Sequence, residues 1–382
     1  MTRAGEAGAT VPAFDIRPTS PTPRDEDGRR RRLLLRAAVG SAAFGALSFA
    51  VPALSEAAAA DAPIVEPALQ ADVPFWFGFI GDTPYSKLEE NSLRLILSAL
   101  AAEPLEFVLH AGDIKSSLED CDDALLSSRL RLLDECPHPL ILTPGDNEWI
   151  DCNRSLPASE PGGALERLEW LRGQAFRHPL SLGRRRMLLE QQGPYLPATA
   201  EGVPVARQVS DQGLPRLPEN LRWRIGTLQF CTLHVVGSGN GESRKADLAQ
   251  AWLLRQQANG DWLNDTVQQA IRERAAGLVI ALHANLRFGA DRRDGWERMR
   301  SLIIAAAVAF DGPVLLLHGD THHFRSDRLL RRSHGLANFQ RVECFGSPFS
   351  SSWVQIRWDP ALARAGAGTE SDPFQVSTRA LP

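Results

Sequence analysis

Lysine and tyrosine are scarce in this chain of 382 residues, which has three lysines and two tyrosines. Its basic side chains are therefore almost all arginine, and because such a bias follows genome composition, we infer no function from it. The formal net charge of -4 argues against a nucleic-acid binder held by bulk positive charge. A hydrophobic fraction of 43% is ordinary for a soluble globular protein of one large or two smaller domains.

Several common functional motifs are also missing. No two of the five cysteines have zinc-finger spacing. No Gly-x-Ser-x-Gly elbow precedes a helix, which argues against a serine hydrolase. The glycine-rich stretch GSGNG (237–241) lacks the helix and the spacing of a dinucleotide-binding fingerprint. The sequence contains no internal repeat.

The N-terminal segment is set apart from the rest of the chain. Residues 1–28 are polar, rich in Pro, Thr and Asp, and typical of disorder. Residues 29–62 combine an arginine cluster, an apolar Ala- and Gly-rich run and small residues, which predicts an export signal resembling the twin-arginine type. The alternative is an uncleaved membrane anchor over residues 33–54. We therefore expect an exported protein, periplasmic or extracellular, with membrane association as the alternative.

The cysteines agree with an oxidising compartment. Cys121 and Cys152 each follow a Gly-Asp pair, so both are expected near one edge of a sheet, and we predict a disulfide between them. Cys231 and Cys344 lie in apolar strand-like runs and are expected to be packed thiols. Cys136 is left unpaired by this assignment.

The remaining chain alternates apolar strands with amphipathic helices, which predicts a layered α/β fold with a largely parallel sheet. We assign residues 73–360 to a single catalytic domain that carries a nonperiodic insertion at 191–220, expected at the cleft mouth. Residues 361–382 are predicted to be a loose tail. Residues 221–241 predict a two-stranded hairpin, in which GSGNG either lines a cleft through Asn240 or forms a plain hairpin turn.

Four apolar strands end in the same two residues, Gly-Asp. A single such Asp is usually a turn residue or a helix cap. In open α/β sheets, however, ligands bind outside the carboxyl ends of the strands, so these side chains are expected to converge. Clustered carboxylates resist ionising together unless a cation neutralises them, and a mixed Asp/His set suits Zn, Mn or Fe. The predicted metal ligands are Asp82, Asp113, Asp146, His283, Asp320 and His322.

The order and spacing of these motifs resemble those of the calcineurin-like metallophosphoesterases. The matching stretches, in chain order, are GDTPY, GDIK, GDNE, HAN and GDTHH. The resemblance covers about residues 74–360. It implies a four-layer α/β/β/α sandwich with a dinuclear metal centre at the strand ends.

The resemblance also implies how two divalent or trivalent metal ions, Mn, Fe or Zn, are held. Asp113 stands at the position that bridges the two metals. Tyr85 follows the first motif, which has Pro84 where the family has histidine; the phenolate either fills the gap as a ligand or packs its ring on the turn. The ligands so implied are Asp82, His322 and Tyr85 for one metal, and Asp146, His283 and Asp320 for the other.

Other departures from the family pattern affect the chemistry. Asp146 replaces an asparagine and Asp320 a histidine, which makes the ligands harder and shifts the preference toward Mn, Fe or Mg. Asn147 stands at the catalytic histidine position and cannot act as an acid, although it can donate a hydrogen bond to phosphate. Glu148 is retained. Lys115 either binds a phosphate oxygen or is a solvated lysine at a helix start.

Two functions follow from these residues. The first is an exported metal-dependent phosphoesterase that hydrolyses a phosphomonoester or phosphodiester, on a small molecule or a macromolecule. The second is a non-catalytic binding protein with a degraded or mononuclear metal site. The two missing histidines favour the second function, whereas the retained ligands, and replacements that are themselves ligand types, favour the first.

Overall fold

The computed structural model describes residues 62–65, 73–154, 156–193, 217–289, 293–364 and 372–381. All of them belong to one compact unit, residues 51–382. The predictions of a disordered segment at 1–28 and of an export signal or anchor before residue 62 lie outside the described residues, as does most of the insertion at 191–220. Within the described residues, no helix has the length and apolar character needed to cross a membrane.

The strands follow the apolar runs of the sequence. Their bounds are β1 (Ile64–Val65), β2 (Phe75–Ile80), β3 (Leu105–His110), β4 (Leu140–Leu142), β5 (Arg186–Met187), β6 (Glu190–Gln191), β7 (Leu221–Ile225), β8 (Leu228–Thr232), β9 (Gly277–Ala281), β10 (Val314–His318), β11 (Arg325–Asp327), β12 (Phe339–Glu343), β13 (Ser352–Trp358) and β14 (Phe374–Ala380).

The helices begin where the sequence offers capping residues. Ser86 accepts a hydrogen bond from Glu89 N at the start of α1, and Asp122 accepts one from Leu125 N at the start of α2. The bounds are α1 (Lys87–Ala101), α2 (Asp123–Asp134), α3 (Ala164–Ala175), α4 (Gly237–Asn240), α5 (Ala246–Arg272), α6 (Glu297–Ala309), α7 (Leu330–His334) and α8 (Pro360–Arg364).

Two mixed sheets contain most of these strands. One has the order β14-β13-β2-β3-β4, in which β2, β3 and β4 are parallel. The other has the order β11-β12-β10-β9-β8-β7-β6, in which β8, β9, β10 and β12 are parallel. In both sheets the antiparallel strands lie toward the edges. The strands β2, β3, β9 and β10, which precede Asp82, Asp113, His283 and Asp320, lie inside the sheets, whereas β4, which precedes Asp146, is an edge strand.

The sheets pack face to face through aromatic side chains. Phe77 of β2 contacts Phe230 of β8 edge-on, with ring centroids 5.6 Å apart. Phe107 of β3 contacts Trp223 of β7 in the same way at 5.5 Å. All four side chains are buried, so these contacts build the core between the sheets.

Helices cover the outer face of each sheet. Side chains alternate along β9: Val279 belongs to the core between the sheets, whereas Ile280 belongs to a second core shared with α5 and α6. On the opposite side, Leu93 and Leu100 of α1 are buried against the five-stranded sheet. The predicted four-layer α/β/β/α sandwich is confirmed.

Three predictions outside the site can be scored. The Cys121–Cys152 disulfide is present, and Cys136, Cys231 and Cys344 are buried thiols. The hairpin of β7 and β8 is confirmed, but its turn is Gly226–Thr227 rather than GSGNG. The loose tail is wrong for Phe374–Ala380, because this strand pairs with β13 along its whole length.

Candidate metal centre

Strand ends from both sheets bring the predicted metal ligands together. The residues form two overlapping groups whose ligand atoms lie within 4.8 Å of one another. One group contains Asp82, Asp113 and His283, and the other contains Asp146, His283 and Asp320. His283 is thus shared by both groups. His322 lies at the edge of the first group, with its Nε2 3.6 Å from Asp82 Oδ1.

The glycines of the Gly-Asp pairs allow the carboxylates to approach one another. A Cβ on Gly145 would lie 2.1 Å from Asp113 Oδ1, and a Cβ on Gly319 would lie 2.2 Å from Asp82 Oδ2. Any other residue would therefore displace the carboxylate of a neighbouring motif. This close packing is the physical reason why the same dipeptide recurs at different strand ends.

The backbone is strained where it presents the ligands. Asp82, Asp113, Asp320 and His322 have φ values of 50°, 56°, 81° and 64°, in the left-handed region that non-glycine residues rarely adopt. Such conformations cost on the order of 1 kcal/mol each and cluster at functional sites. The strain indicates that the surrounding fold holds these side chains in place for a purpose other than local stability.

The four aspartates of the cluster have no lysine or arginine as an ion-pair partner among the described residues. Their ion pairs go only to histidines: His283 Nε2 lies 2.9 Å from Asp146 Oδ1 and 3.6 Å from Asp113 Oδ1. Buried carboxylates without a cation are costly, because burial removes their hydration.

The pKa values reflect this crowding of negative charge. Burial raises the pKa of Asp82 to about 7, and burial also raises the pKa values of Asp113 and Asp320. Burial acts to raise the pKa of Asp146 too, but its contacts with His283 lower the pKa overall. Burial acts to lower the pKa of His283, yet the surrounding carboxylates raise it well above its ordinary value. The cluster therefore attracts positive charge strongly.

The two histidines are oriented as metal ligands usually are. His283 Nδ1 donates a hydrogen bond to the carbonyl oxygen of Ala111 at 2.8 Å, and His322 Nδ1 donates to that of Ser347 at 2.5 Å. These bonds direct both Nε2 atoms toward the carboxylates. A second partner on Nδ1 that fixes the ring is the common arrangement for a histidine ligand.

The donor set fits metal ions. Asp146 Oδ1 and His283 Nε2 are buried and lie 2.9 Å apart, but neither makes a hydrogen bond of normal geometry with the other or with any other described residue. Buried polar atoms are normally satisfied, so these two point to a ligand. Carboxylate oxygens with imidazole nitrogens suit Mn, Fe or Zn.

Tyr85 reaches into the cluster with its phenol group. The hydroxyl donates to Asp113 Oδ2 at 2.6 Å and lies 3.2 Å from His322 Nε2. Burial, followed by the charge of Asp113, raises the pKa of Tyr85. The oxygen thus stands between two predicted ligands, where the hypothesis of a ligating phenolate needs it, rather than on a ring that only packs against the turn.

The two residues after Asp146 have different surroundings. The side-chain amide of Asn147 donates to Asp113 Oδ2 at 2.6 Å and to the Tyr85 hydroxyl at 3.2 Å, so it faces the cluster. Glu148 is wholly buried, and its Oε1 accepts hydrogen bonds from Asp113 N and Gly145 N at 3.2 and 2.6 Å. Glu148 therefore joins two Gly-Asp turns, and the catalytic role assigned to it stays a prediction.

The structure contradicts one of the two roles predicted for Lys115, that of a solvated lysine. Its side chain is buried rather than solvated, and Nζ donates to the carbonyl oxygens of Ser116 and Asn147 at 2.7 and 2.9 Å. The ammonium group therefore holds the loop that carries Asn147, and the phosphate contact of its remaining N–H donor stays a prediction.

A left-handed turn at Gly237–Gly241 belongs to the site and was missed by sequence reasoning. A Cβ on Gly237 would lie 2.5 Å from Asp146 Oδ1 and 2.8 Å from Asp320 Oδ1, so this glycine packs directly on two predicted ligands. Residues 238–241 then have φ values of 46°, 67°, 57° and 69°. The alternating glycines of GSGNG are the available signal, because only glycine adopts this conformation freely. Ser238 and Gly241 line a cavity, as one of the two predicted roles for GSGNG requires, but Asn240 is buried and is not the contact residue.

Arg255 of α5 holds this turn in place. Its Nη1 donates to Asn240 Oδ1 and its Nη2 to Asn240 O, both at 2.6 Å. The guanidinium also lies over the Trp149 ring, 5.2 Å from its centroid. Burial lowers the pKa of Arg255 to about 9. A buried arginine is thus used to fix the backbone beside Asp146 and Asp320.

Comparisons with known proteins find similarity in structure only. No protein-family profile and no curated protein matches the chain. A dimetal phosphatase from Danio rerio has 13% identity and a TM-score of 0.46, covering 81% of this chain and 99% of its own. A protein from Thermus thermophilus has 11% identity and a TM-score of 0.42, with 81% and 100% covered. A purple acid phosphatase from yellow lupin seeds has 10% identity and a TM-score of 0.41, with 81% and 54% covered.

Proposed function

We propose that this protein is an exported, metal-dependent phosphoesterase of the calcineurin-like type, which hydrolyses a phosphomonoester or phosphodiester. The observation that carries the proposal is the meeting of four aspartates, three of them buried, and two histidines without a lysine or arginine ion-pair partner among the described residues. Such a set of side chains is costly unless it holds cations. The Cys121–Cys152 disulfide supports export to an oxidising compartment.

Two bound metal ions would increase the acidity of the attacking water and neutralise the phosphoryl oxygens. We assign the ligands as the sequence predicts, with Asp113 shared between the ions. One ion is assigned to Asp82, His322 and Tyr85. The other is assigned to Asp146, His283 and Asp320.

The remaining residues bind and position. The side-chain amide of Asn147 faces the cluster, so it can donate a hydrogen bond to a phosphoryl oxygen in exchange for its bond to Asp113. Lys115 and Glu148 hold the loop on which Asn147 lies. Because an amide cannot protonate a leaving group, we expect the rate to depend on the leaving group's own pKa.

The test is metal analysis of the purified full chain beside an Asp113→Ala variant and an Asp311→Ala control. Asp311 is exposed and precedes β10, at the end of that strand away from Asp320. We expect two metals per chain in the parent and the control, and loss in Asp113→Ala. Turnover of p-nitrophenyl phosphate or its bis-ester should follow the metal content. Absence of metal from the parent would overturn the proposal. Bound metal without turnover would favour the non-catalytic binding protein.

A further inference from the structure

A cavity of about 450 Å³ lies next to the left-handed turn. Most of its lining comes from residues 150–154 and 156–158, which follow the third Gly-Asp motif, and from residues 238–248, which contain the end of the turn and the start of α5; Ala164 of α3 completes it. The volume is within the range of small-molecule sites, roughly 300 to 1,000 Å³. None of the predicted metal ligands lines this cavity, so it is additional to the cluster.

The cavity is joined to the cluster by short, direct connections. Asp151 N donates to Asp146 O at 3.0 Å, which ties the cavity wall to a predicted metal ligand. On the other wall, Gly237 packs on the Asp146 carboxylate, and the next residue, Ser238, lines the cavity. The Ser238 hydroxyl donates to Asp151 Oδ1 at 2.9 Å and closes the connection between the two walls. A ligand at the cluster would therefore have the cavity immediately beside it.

The strained turn gives these walls their shape. Ser238 and Gly241 both line the cavity, and both belong to the run of left-handed residues. Arg255 and Asn240 hold that run from the buried side. Strain of this kind persists only where surrounding contacts enforce it, and it is concentrated at functional sites.

The accessible charges in the cavity are mainly positive. The Arg154 side chain is 66% exposed; its Nη2 contacts Asp151 and Ser238, and its Nε and Nη1 make no hydrogen bond to any described residue. Lys245 Nζ donates to the carbonyl oxygens of Arg154 and Leu156 and has no carboxylate partner in the described part of the chain. The Asp151 side chain is only 8% exposed, because Arg154 and Ser238 cover it. Glu242 is the one other acid on the lining.

The rest of the wall is apolar. Ile150, Leu156 and Leu248 contribute side chains to the lining, with the small residues Ala158 and Ala164 between them. An aliphatic wall with two cations that have spare donors fits a short carbon skeleton that ends in an anionic group.

We propose that this cavity is the subsite for the organic part of the substrate, and that Arg154 and Lys245 bind a second anionic group on it. The substrate class is then a small organic phosphate that carries a further carboxylate or phosphate. This inference rests on the proposed function, because the cluster must bind the first phosphate. It assigns specificity to residues that take no part in the reaction at phosphorus.

The test compares two phosphate esters that differ in one group. 3-Phosphoglycerate carries a carboxylate where glycerol 3-phosphate carries a hydroxymethyl group. Binding of each to the metal-loaded full chain is measured by calorimetry, and hydrolysis by phosphate release. The variants are Arg154→Gln and Lys245→Gln, with Arg131→Gln on the exposed face of α2 as the matched control.

We expect the parent to prefer 3-phosphoglycerate by about tenfold, the effect of one charge-assisted hydrogen bond, mainly in Kd and KM. Arg154→Gln and Lys245→Gln should each reduce the ratio to below about threefold, while Arg131→Gln retains it. Equal binding of both esters by the parent, or an equal loss of both in the variants, would overturn the subsite.

The two proposals fail in different ways. Preferential binding of 3-phosphoglycerate without hydrolysis of either ester would support the subsite and contradict the phosphoesterase. Hydrolysis of both esters at the same kcat/KM would support the phosphoesterase and contradict the subsite. Binding of neither ester would contradict the subsite, whereas the phosphoesterase is contradicted by the absence of metal from the parent.

Discussion

The aspartate cluster and Glu219 are two groups of carboxylates with opposite electrostatic surroundings, although Asp82 of the cluster and Glu219 are both wholly buried. In the first, the aspartate cluster, burial raises the pKa of Asp82 to about 7. In the second, Glu219 is also wholly buried, but Arg172 Nε and Nη2 donate to its two oxygens at 2.9 and 2.6 Å. His234 Nδ1 donates to the same carboxylate at 2.7 Å. Burial acts to raise the pKa of Glu219, but the charge of Arg172 lowers it overall.

The difference shows that burial of an acid does not by itself indicate a site. Glu219 is neutralised by a side chain of its own fold, so its role is complete within the structure. The aspartate cluster keeps unpartnered atoms, strained backbone and excess negative charge. Only the surroundings of the aspartate cluster call for a cation from outside the chain.

Removal of the Arg172 guanidinium, the cation that neutralises Glu219, should have the largest effect on stability. Arg172→Met would leave the carboxylate of Glu219 buried without its charge partner, and we expect the free energy of unfolding to fall by about 4 kcal/mol. Urea denaturation measures the change, with the exposed Arg131→Met as control. The double variant Arg172→Met/Glu219→Gln should regain part of the loss. A change below about 1 kcal/mol in Arg172→Met would contradict the contrast between the two groups.

Neutralising the cluster should act in the opposite direction when metal is absent. The folded pKa of Asp82, about 7, lies above its ordinary 3.8. Its contribution to stability is therefore complete below pH 3.8 and is lost as the pH rises through 7. In a chelator at pH 8, Asp82→Asn should raise the free energy of unfolding by about 2 kcal/mol, and by much less at pH 5.

With metal added, Asp82→Asn should lower the free energy of unfolding instead of raising it. The reason is that metal binding stabilises the folded parent, and the variant lacks this contribution. Thermal unfolding with and without Mn²⁺ at pH 8 checks this reversal. If the variant were less stable than the parent under both conditions, the carboxylate would be structural, like that of Glu219.

The turn beside the cluster should show a smaller, backbone effect. Asn240→Ala removes the hydrogen bond that the Asn240 side chain accepts from Arg255 Nη1 and places a Cβ-bearing residue without a local polar group at φ 57°, so we expect a loss of about 2 kcal/mol. Asn240→Gly, which keeps the left-handed conformation, should lose about half as much. Urea denaturation of both variants separates the two contributions, and equal losses would show that backbone strain is irrelevant here.

The smallest expected effect concerns the leaving group. Asn147→His restores an acid beside the phosphate position, and we expect kcat on an alkyl phosphate to rise about tenfold relative to p-nitrophenyl phosphate. Asn147→Ala is the control and should lower kcat on both esters. The ratio of the two kcat values for each variant is the measurement, and an unchanged ratio in Asn147→His would contradict the assignment of this position.

The sequence predicted the metal ligands that follow directly on apolar strands. Asp82, Asp113, Asp146, His283 and Asp320 could be placed together because parallel strands present their carboxyl ends on one edge. The two sheets could be inferred only through the family resemblance, since the alternation of strands and helices does not reveal where one sheet ends. The last strand was missed because an edge strand has one partner and tolerates the polar residues that made it resemble a tail.

Other side chains could not be assigned from their place in a motif. Glu148 and Lys115 follow the Gly-Asp pairs directly, yet both point into the loops and bind backbone groups. The direction of a loop side chain depends on which backbone donors and acceptors need partners, and these are known only after folding. Glu219 was hidden for the same reason, within a stretch that has no periodicity.

The sequence by itself determined which residue types meet at the strand ends, because hydrophobic periodicity defines the strands and the Gly-Asp pairs mark their carboxyl ends. Only the tertiary structure decided which acids are neutralised within the fold and which remain without a cation. Charge compensation depends on distances of a few ångströms between residues far apart in the chain, such as Arg172 and Glu219. Packing of distant segments sets those distances, and local sequence does not encode them.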